Sequence, residues 1–170
     1  ARPGDPPDFS YLDLSPAGAV DRPPVDAAVR DIEHLASEMV RVLDDDHVAR
    51  GPWAPDLSPE TLLDALETMV LTRAYDERML RIQRQGKISF YIQALGEEAV
   101  SVGQGLAFED GDMMFPAYRN QGLYILRGTG LVDMMCQCLS NTRDMCKGRQ
   151  MPIFYQNREK NIFTISGNLT

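Results

Sequence analysis

Three clusters in this chain combine residue types and spacing suited to chemistry. The densest is Phe115-Pro116-Ala117-Tyr118-Arg119-Asn120-Gln121-Gly122. An arginine that opens a helix after an extended segment is placed to clamp a phosphate. Its planar fork offers two parallel N–H donors, and the first amides of the helix add more. Tyr118 supplies a hydroxyl for the same anion. On spacing alone, a solvated arginine beside a packed tyrosine explains these residues equally well.

The second cluster is Lys147-Gly148-Arg149-Gln150-Met151-Pro152. Two cations around a glycine can hold an anion or a substrate carboxylate, or form an ordinary surface turn. The third is Thr164-Ile165-Ser166-Gly167-Asn168-Leu169-Thr170, whose carbonyls and hydroxyls suit a monovalent cation, a pocket lining or a plain strand-to-helix loop. Gly111-Asp112 and Asn141 have about the span of a metal-and-diphosphate signature, but Met113 and Thr142 break the match, so they read as a turn and a helix end. No P-loop, dinucleotide fingerprint, nucleophile elbow or zinc-protease motif occurs.

The elements that must position these clusters follow from periodicity. Val29, Ile32, Leu35, Ala36, Met39, Val40 and Leu43 fall at helical spacing and predict a helix over 25–43. Ser58-Pro59-Glu60 is a helix start, with serine as N-cap, proline at the first position and an acid in the first turn. From there Leu62, Leu66, Met69, Val70, Met79 and Leu80 predict one long amphipathic helix to about Gln85, ended by Gly86. A second helix is expected from Leu95-Gly96-Glu97-Glu98 to about Phe108, where Ala99, Gly103 and Gly105 permit close approach. Helices over 119–126 and 131–139 follow, with strands expected at 113–115 and 161–165. Helices of this kind should cover a sheet.

Composition limits the function classes. The chain has 170 residues and a formal net charge of −8. The first sixty residues carry 13 acids against 5 bases and nine of the eleven prolines, whereas the remainder is balanced. Residues 1–57 therefore read as an acidic, Pro-rich extension with one helix, and 58–170 as a globular body. An acidic chain is a poor partner for a nucleic-acid backbone or an anionic lipid surface. No apolar run has the roughly 18 residues of a membrane span, and no leader-like segment is present at the start, which points to the cytoplasm. Cys136, Cys138 and Cys146 do not have zinc-site spacing and read as buried, inert thiols.

Several segments together resemble a known family. They are Arg81–Tyr91, Gly96-Glu97-Glu98, Phe115–Arg119, Lys147–Pro152 and Phe163–Leu169, in that order. The chain resembles the α subunits of the thiamine-diphosphate-dependent E1 component of branched-chain 2-oxo acid dehydrogenase complexes. Its Pro-rich start, with Phe9–Leu12, Pro23–Val25 and Gly51-Pro52-Trp53, is similar to the extension of bacterial members. Gly148-Arg149-Gln150-Met151-Pro152 favours the branched-chain type, because pyruvate and acetoin relatives usually have Gly-Gly-Ser-Met-His there.

The resemblance implies an α/β fold: the N-terminal part of a thiamine-diphosphate-binding domain, a parallel sheet flanked by helices, mostly helical in the portion present. It implies oxidative decarboxylation of a branched-chain 2-oxo acid, with acyl transfer to the lipoyl group of E2, in an α2β2 assembly with an E1 β subunit. Tyr118 and Arg119 match the family's diphosphate-binding pair, and Gly167 and Leu169 match positions near the aminopyrimidine and substrate. Ser166 and Asn168 fall in the loop that holds a potassium ion in relatives. Ala117 departs from the polar residue some relatives have before Tyr-Arg. The Gly-Asp-Gly…Asn magnesium motif and the active-site histidine are expected beyond Thr170, so this chain alone is expected to be inactive. The alternatives are a pyruvate or acetoin E1 α subunit, or a non-catalytic relative that only binds a β subunit.

Overall fold

A computed structural model describes residues 4, 6–8, 11 and 14–163 of the chain. Contacts group these into two compact units, Ala1–Leu57 and Ser58–Thr170.

Within the first unit the helix expected over 25–43 does not form. Val29–Asp31 and Glu33–Ala36 are short 3-10 turns, and residues 37–42 are irregular. At the C-terminal end of the expected span the backbone is tied to other parts of the unit. The Arg41 carbonyl accepts from Gly18 N–H at 2.8 Å, the Val42 carbonyl accepts from Arg50 N–H at 2.9 Å, and Leu43 bridges Ala49. Asp44 fixes the intervening turn by accepting from the amides of Asp46 and Val48 and from Arg50 Nε. Nor is the presumed apolar face buried: Val29 and Met39 stay exposed. With no residue of either turn buried, the helical period has no packed face to hold a helix.

Two glycines allow the extension to cross itself. Gly18 and Gly51 both have φ of +77°, and a Cβ on Gly51 would lie 2.3 Å from the Gly18 Cα. No side chain fits between backbones that close. Gly51→Ala is therefore expected to open this crossing, and hydrogen exchange should show lost protection at the Gly18 and Arg50 amides while amides of the second unit keep theirs.

The second unit is built from four helices: α1 (Pro59–Arg84), α2 (Glu98–Ala107), α3 (Gln121–Leu126) and α4 (Leu131–Cys138). α1 starts where the sequence places it, with Ser58 Oγ accepting from Thr61 N–H at 3.1 Å. It ends at Gly86, whose φ of +72° takes the chain out of the helix. The buried face of α1 differs from the expected one. Thr72, Tyr75, Asp76 and Met79 face inward, while Leu62, Leu66 and Val70 are exposed.

α1, α2 and α3 pack against one another. Gly105 makes the α2–α3 approach possible, since a Cβ there would meet Leu126 Cδ2 at 2.6 Å. Gly103 meets nothing within 4 Å. Tyr75, Met79, Met114, Leu123, Met134, Ile153 and Ile162 belong to one core. Through it, Tyr75 and Tyr155 hydroxyls pair at 3.0 Å, and Tyr124 donates to the Tyr155 carbonyl.

No strand longer than a single bridge occurs among the described residues. Where strands are expected at 113–115 and 161–165, the described residues form one parallel bridge, Met114 to Ile162, and 164–165 lie outside the described residues. Met114 N–H donates to the Asn161 carbonyl and Phe163 N–H to the Met114 carbonyl, each at 2.9 Å. The described part is mostly helical, and the flanked parallel sheet is not seen in it. Among the described residues no helix is long and apolar enough to cross a membrane.

The stretch between α1 and α2 is held by a single enclosed carboxylate. Asp76 is fully buried and accepts from Tyr91 Oη and from Ala94 N–H, each at 2.6 Å. Burial raises its pKa, and these two donors act against that rise. Asp76→Ala should strand both donors and lower stability by about 2–4 kcal/mol, read as a fall in urea midpoint with an unchanged slope. A midpoint within error of the parent would exclude this anchoring role.

Candidate functional site

The turn before α2 and the turn before α3 come together through their side chains. Ala94, fixed by Asp76, accepts from Glu97 N–H at 2.8 Å. Glu98 then accepts from Gly96 N–H and from Arg73 Nε, the latter at 2.6 Å. On the other side, Asn120 Oδ1 accepts from Ala117 N–H at 2.7 Å, while its amide donates to Ser101 Oγ. Gln121 is buried and donates through Nε2 to the Ile92 carbonyl at 2.9 Å. The Pro116–Gln121 turn is thus tied to both α2 and the loop after α1.

Tyr118 and Arg119 lie together on this turn. The Arg119 guanidinium carbon stands 5.7 Å from the centre of the Tyr118 ring, and that ring lies 6.3 Å from Phe154. Arg119 Nη1 donates to Glu97 Oε1 at 3.0 Å, with both side chains about half exposed. That hydrogen bond pushes the arginine pKa up, so its charge is permanent. Arg119 Nε is enclosed and has no hydrogen-bond partner among the described residues. Pro116, Ala117 and Asn120 line an open cleft of about 610 Å³ with Phe108, Met114 and Phe115. Tyr118 and Arg119 are not among its walls.

The second sequence cluster is built as a surface turn. Asp144 is buried and its carboxylate accepts from the amides of Cys146 and Gly148 at 2.8 and 2.6 Å. Lys147 and Gly148 both have positive φ, and Lys147 and Arg149 point outward as exposed residues. Gln137 clamps the far end, donating to the Met151 carbonyl and accepting from Ile153 N–H. The third cluster, with Ser166, Gly167, Asn168 and Leu169, lies outside the described residues. Among the described residues no group of three or more His, Cys, Asp or Glu could hold a metal ion. Asp112 and Asn141 cap turns, accepting from Glu109 N–H and Arg143 N–H.

Glu97, Glu98, Arg73 and Asp76 were not legible as site residues. Acids at the start of α2 are explained by the helix dipole alone, and nothing in the sequence pairs them with arginines 22 and 25 positions away.

Comparison with known proteins assigns a class. The family model described as "Dehydrogenase E1 component" matches residues 66–170, and the chain belongs to that family. A second, described as "2-oxoisovalerate dehydrogenase E1 alpha subunit N terminal", matches residues 1–30. Among curated proteins, the chain is 56% identical over 168 residues to the 2-oxoisovalerate dehydrogenase subunit alpha of Pseudomonas aeruginosa, covering 99% of this chain and 41% of the relative. It is 41% identical over 115 residues to the mitochondrial subunit alpha of Bos taurus, covering 68% of this chain and 25% of that protein. With the Dictyostelium discoideum counterpart it shares 38% identity over 130 residues, 76% of this chain and 30% of the other. The chain thus spans about two fifths or less of the length of these relatives.

One pH dependence follows from the Arg73–Glu98 pair. The arginine hydrogen bond, against a smaller cost of burial, holds the Glu98 carboxyl below the ordinary glutamate value of 4.5. A depressed carboxylate pKa stabilises the fold above the ordinary value and loses that contribution as pH falls through the lowered one. Urea midpoints should therefore drop on acidification below about pH 4.5, and Arg73→Met should flatten that drop. An identical acid profile in the variant would dissociate the pair from acid stability.

Proposed function

We propose that this chain is the N-terminal part of an E1 α subunit of a branched-chain 2-oxo acid dehydrogenase. In that role it binds the diphosphate of thiamine diphosphate through Tyr118 and Arg119. The observation that carries this reading is the Tyr118–Arg119 pair itself. The Arg119 guanidinium carbon lies 5.7 Å from the Tyr118 ring centre on a turn tied to α2 through Asn120 and Ser101, and the arginine has an unpaired buried donor among the described residues. The residues fit an anion: a permanent cation, an adjacent tyrosine, and a turn fixed by Asn120 and Gln121 beneath both.

When bound, the cofactor supplies the electron sink for decarboxylation of the 2-oxo acid. What this chain contributes is grip and orientation. Arg119 neutralises diphosphate charge and gives it a direction, Tyr118 backs the guanidinium with its ring, and Asn120 holds the turn. Gly167 and Leu169 would border the aminopyrimidine and substrate, while Ser166 and Asn168 would hold a potassium ion. Magnesium ligands have no counterpart among the described residues, so no step is assigned to that ion here. The parallel sheet of the family fold would be completed beside the Met114–Ile162 bridge. The assembly is an α2β2 heterotetramer with an E1 β subunit, in the bacterial cytoplasm, passing acyl groups to the lipoyl-bearing E2.

Branched-chain specificity is supported by the relatives named above, which are all 2-oxoisovalerate subunits, and by the Gly-Arg-Gln-Met-Pro segment. Turnover of 3-methyl-2-oxobutanoate should exceed that of pyruvate in the full-length α subunit assembled with β. In the same assembly Arg119→Ala should raise the dissociation constant for thiamine diphosphate with magnesium by at least tenfold, since a charge-assisted bond is worth about 1.5–3 kcal/mol. Arg119→Lys should recover only part of this loss. An unchanged titration in the alanine variant would take Arg119 out of the site.

A further inference from the structure

We infer that Glu97 is a positioning residue for Arg119, fixing which edge of the guanidinium is presented to a diphosphate. The inference rests on the diphosphate reading given above and adds a residue to it.

The guanidinium is held at two points. Its Nη1 donates to Glu97 Oε1 at 3.0 Å, and its central carbon lies 5.7 Å from the Tyr118 ring centre. In arginine, Nη1 is on the side away from the Nε–H bond, so the Nε and Nη2 hydrogens form the opposite fork. Nε has no hydrogen-bond partner. The carboxylate therefore takes Nη1 and, beside an enclosed Nε, leaves Nη2 as the donor that a phosphate oxygen can reach.

Both ends of this link start from fixed backbone. The Glu97 amide is bonded to Ala94, whose own amide is bonded to the enclosed Asp76. The neighbouring Glu98 is tied to Arg73. The Arg119 turn is closed by Asn120 and by Gln121, which reaches the Ile92 carbonyl. A single side-chain hydrogen bond between two such turns is enough to select an arginine rotamer. An ion pair this exposed adds little to fold stability, so its measurable effect belongs to the group it orients. Orienting in advance removes the ordering cost that a free arginine side chain incurs on binding. The carboxylate also carries a charge that opposes an incoming anion, and glutamine separates the two effects, since its Oε1 can still accept from Nη1 without charge.

The test is a double-mutant cycle on the full-length α subunit assembled with β, titrated with thiamine diphosphate and magnesium. Glu97→Ala is expected to weaken binding by about three- to tenfold, the loss of one pre-ordered side chain. Glu97→Gln should stay within about twofold of the parent or bind more tightly, and thermal midpoints should shift little in either variant. In the Arg119→Ala background, adding Glu97→Ala should change nothing, because residues acting through one another are not additive. An equal loss in both backgrounds, no loss in the parent background, or a glutamine variant as weak as alanine would overturn the positioning role. Arg119→Ala with parental affinity would instead overturn the diphosphate reading itself.

Discussion

A carboxylate with no contact with water holds the central part of this molecule together. Asp76, on the inward face of α1, accepts from Tyr91 and from the Ala94 amide, and so converts the stretch after α1 into a fixed loop rather than a tether. Both turns of the candidate site are attached to that loop. Ala94 bonds the Glu97 turn, Glu97 bonds Arg119, and Ile92 receives Gln121. A buried acid is costly unless its oxygens are satisfied. Here the donors that satisfy it are those that set the register between α1 and α2.

Features with local causes were readable from the sequence. The start of α1 follows from Ser58 and Pro59 because capping needs only neighbouring residues, and its end follows from Gly86 for the same reason. Gly105 announced a close helix approach, and the three thiols announced burial. The adjacency of Tyr118 and Arg119 was legible because the two are consecutive.

Features with distant causes were not. The apolar period over 25–43 is real, but the segment buries no residue of its two short turns, and Arg41 and Val42 give their carbonyls to the amides of Gly18 and Arg50. On α1, leucine and valine spacing pointed to one face while a threonine, a tyrosine and an aspartate occupy the buried one. An aspartate looks like a surface residue until its partners are known. The same applies to Glu97 and Arg73, whose roles depend on pairing across 22 and 25 positions. The sheet expected behind the helices rests on pairing too, and the described residues contain a single isolated parallel bridge, Met114 to Ile162, and no sheet.

Cys136, Cys138 and Cys146 are each less than a tenth exposed, and burial pushes the Cys146 thiol up to about 11 and Cys138 upward as well. Two of them lie on α4 and the third beside the Asp144 turn, so they sample the half of the second unit farthest in sequence from α1. Thiol-reactive dyes will meet these sulfurs only when that region opens. The native chain thus contains its own reporters of local opening, and the rate of their modification is a clock for breathing around α4 that needs no engineered probe.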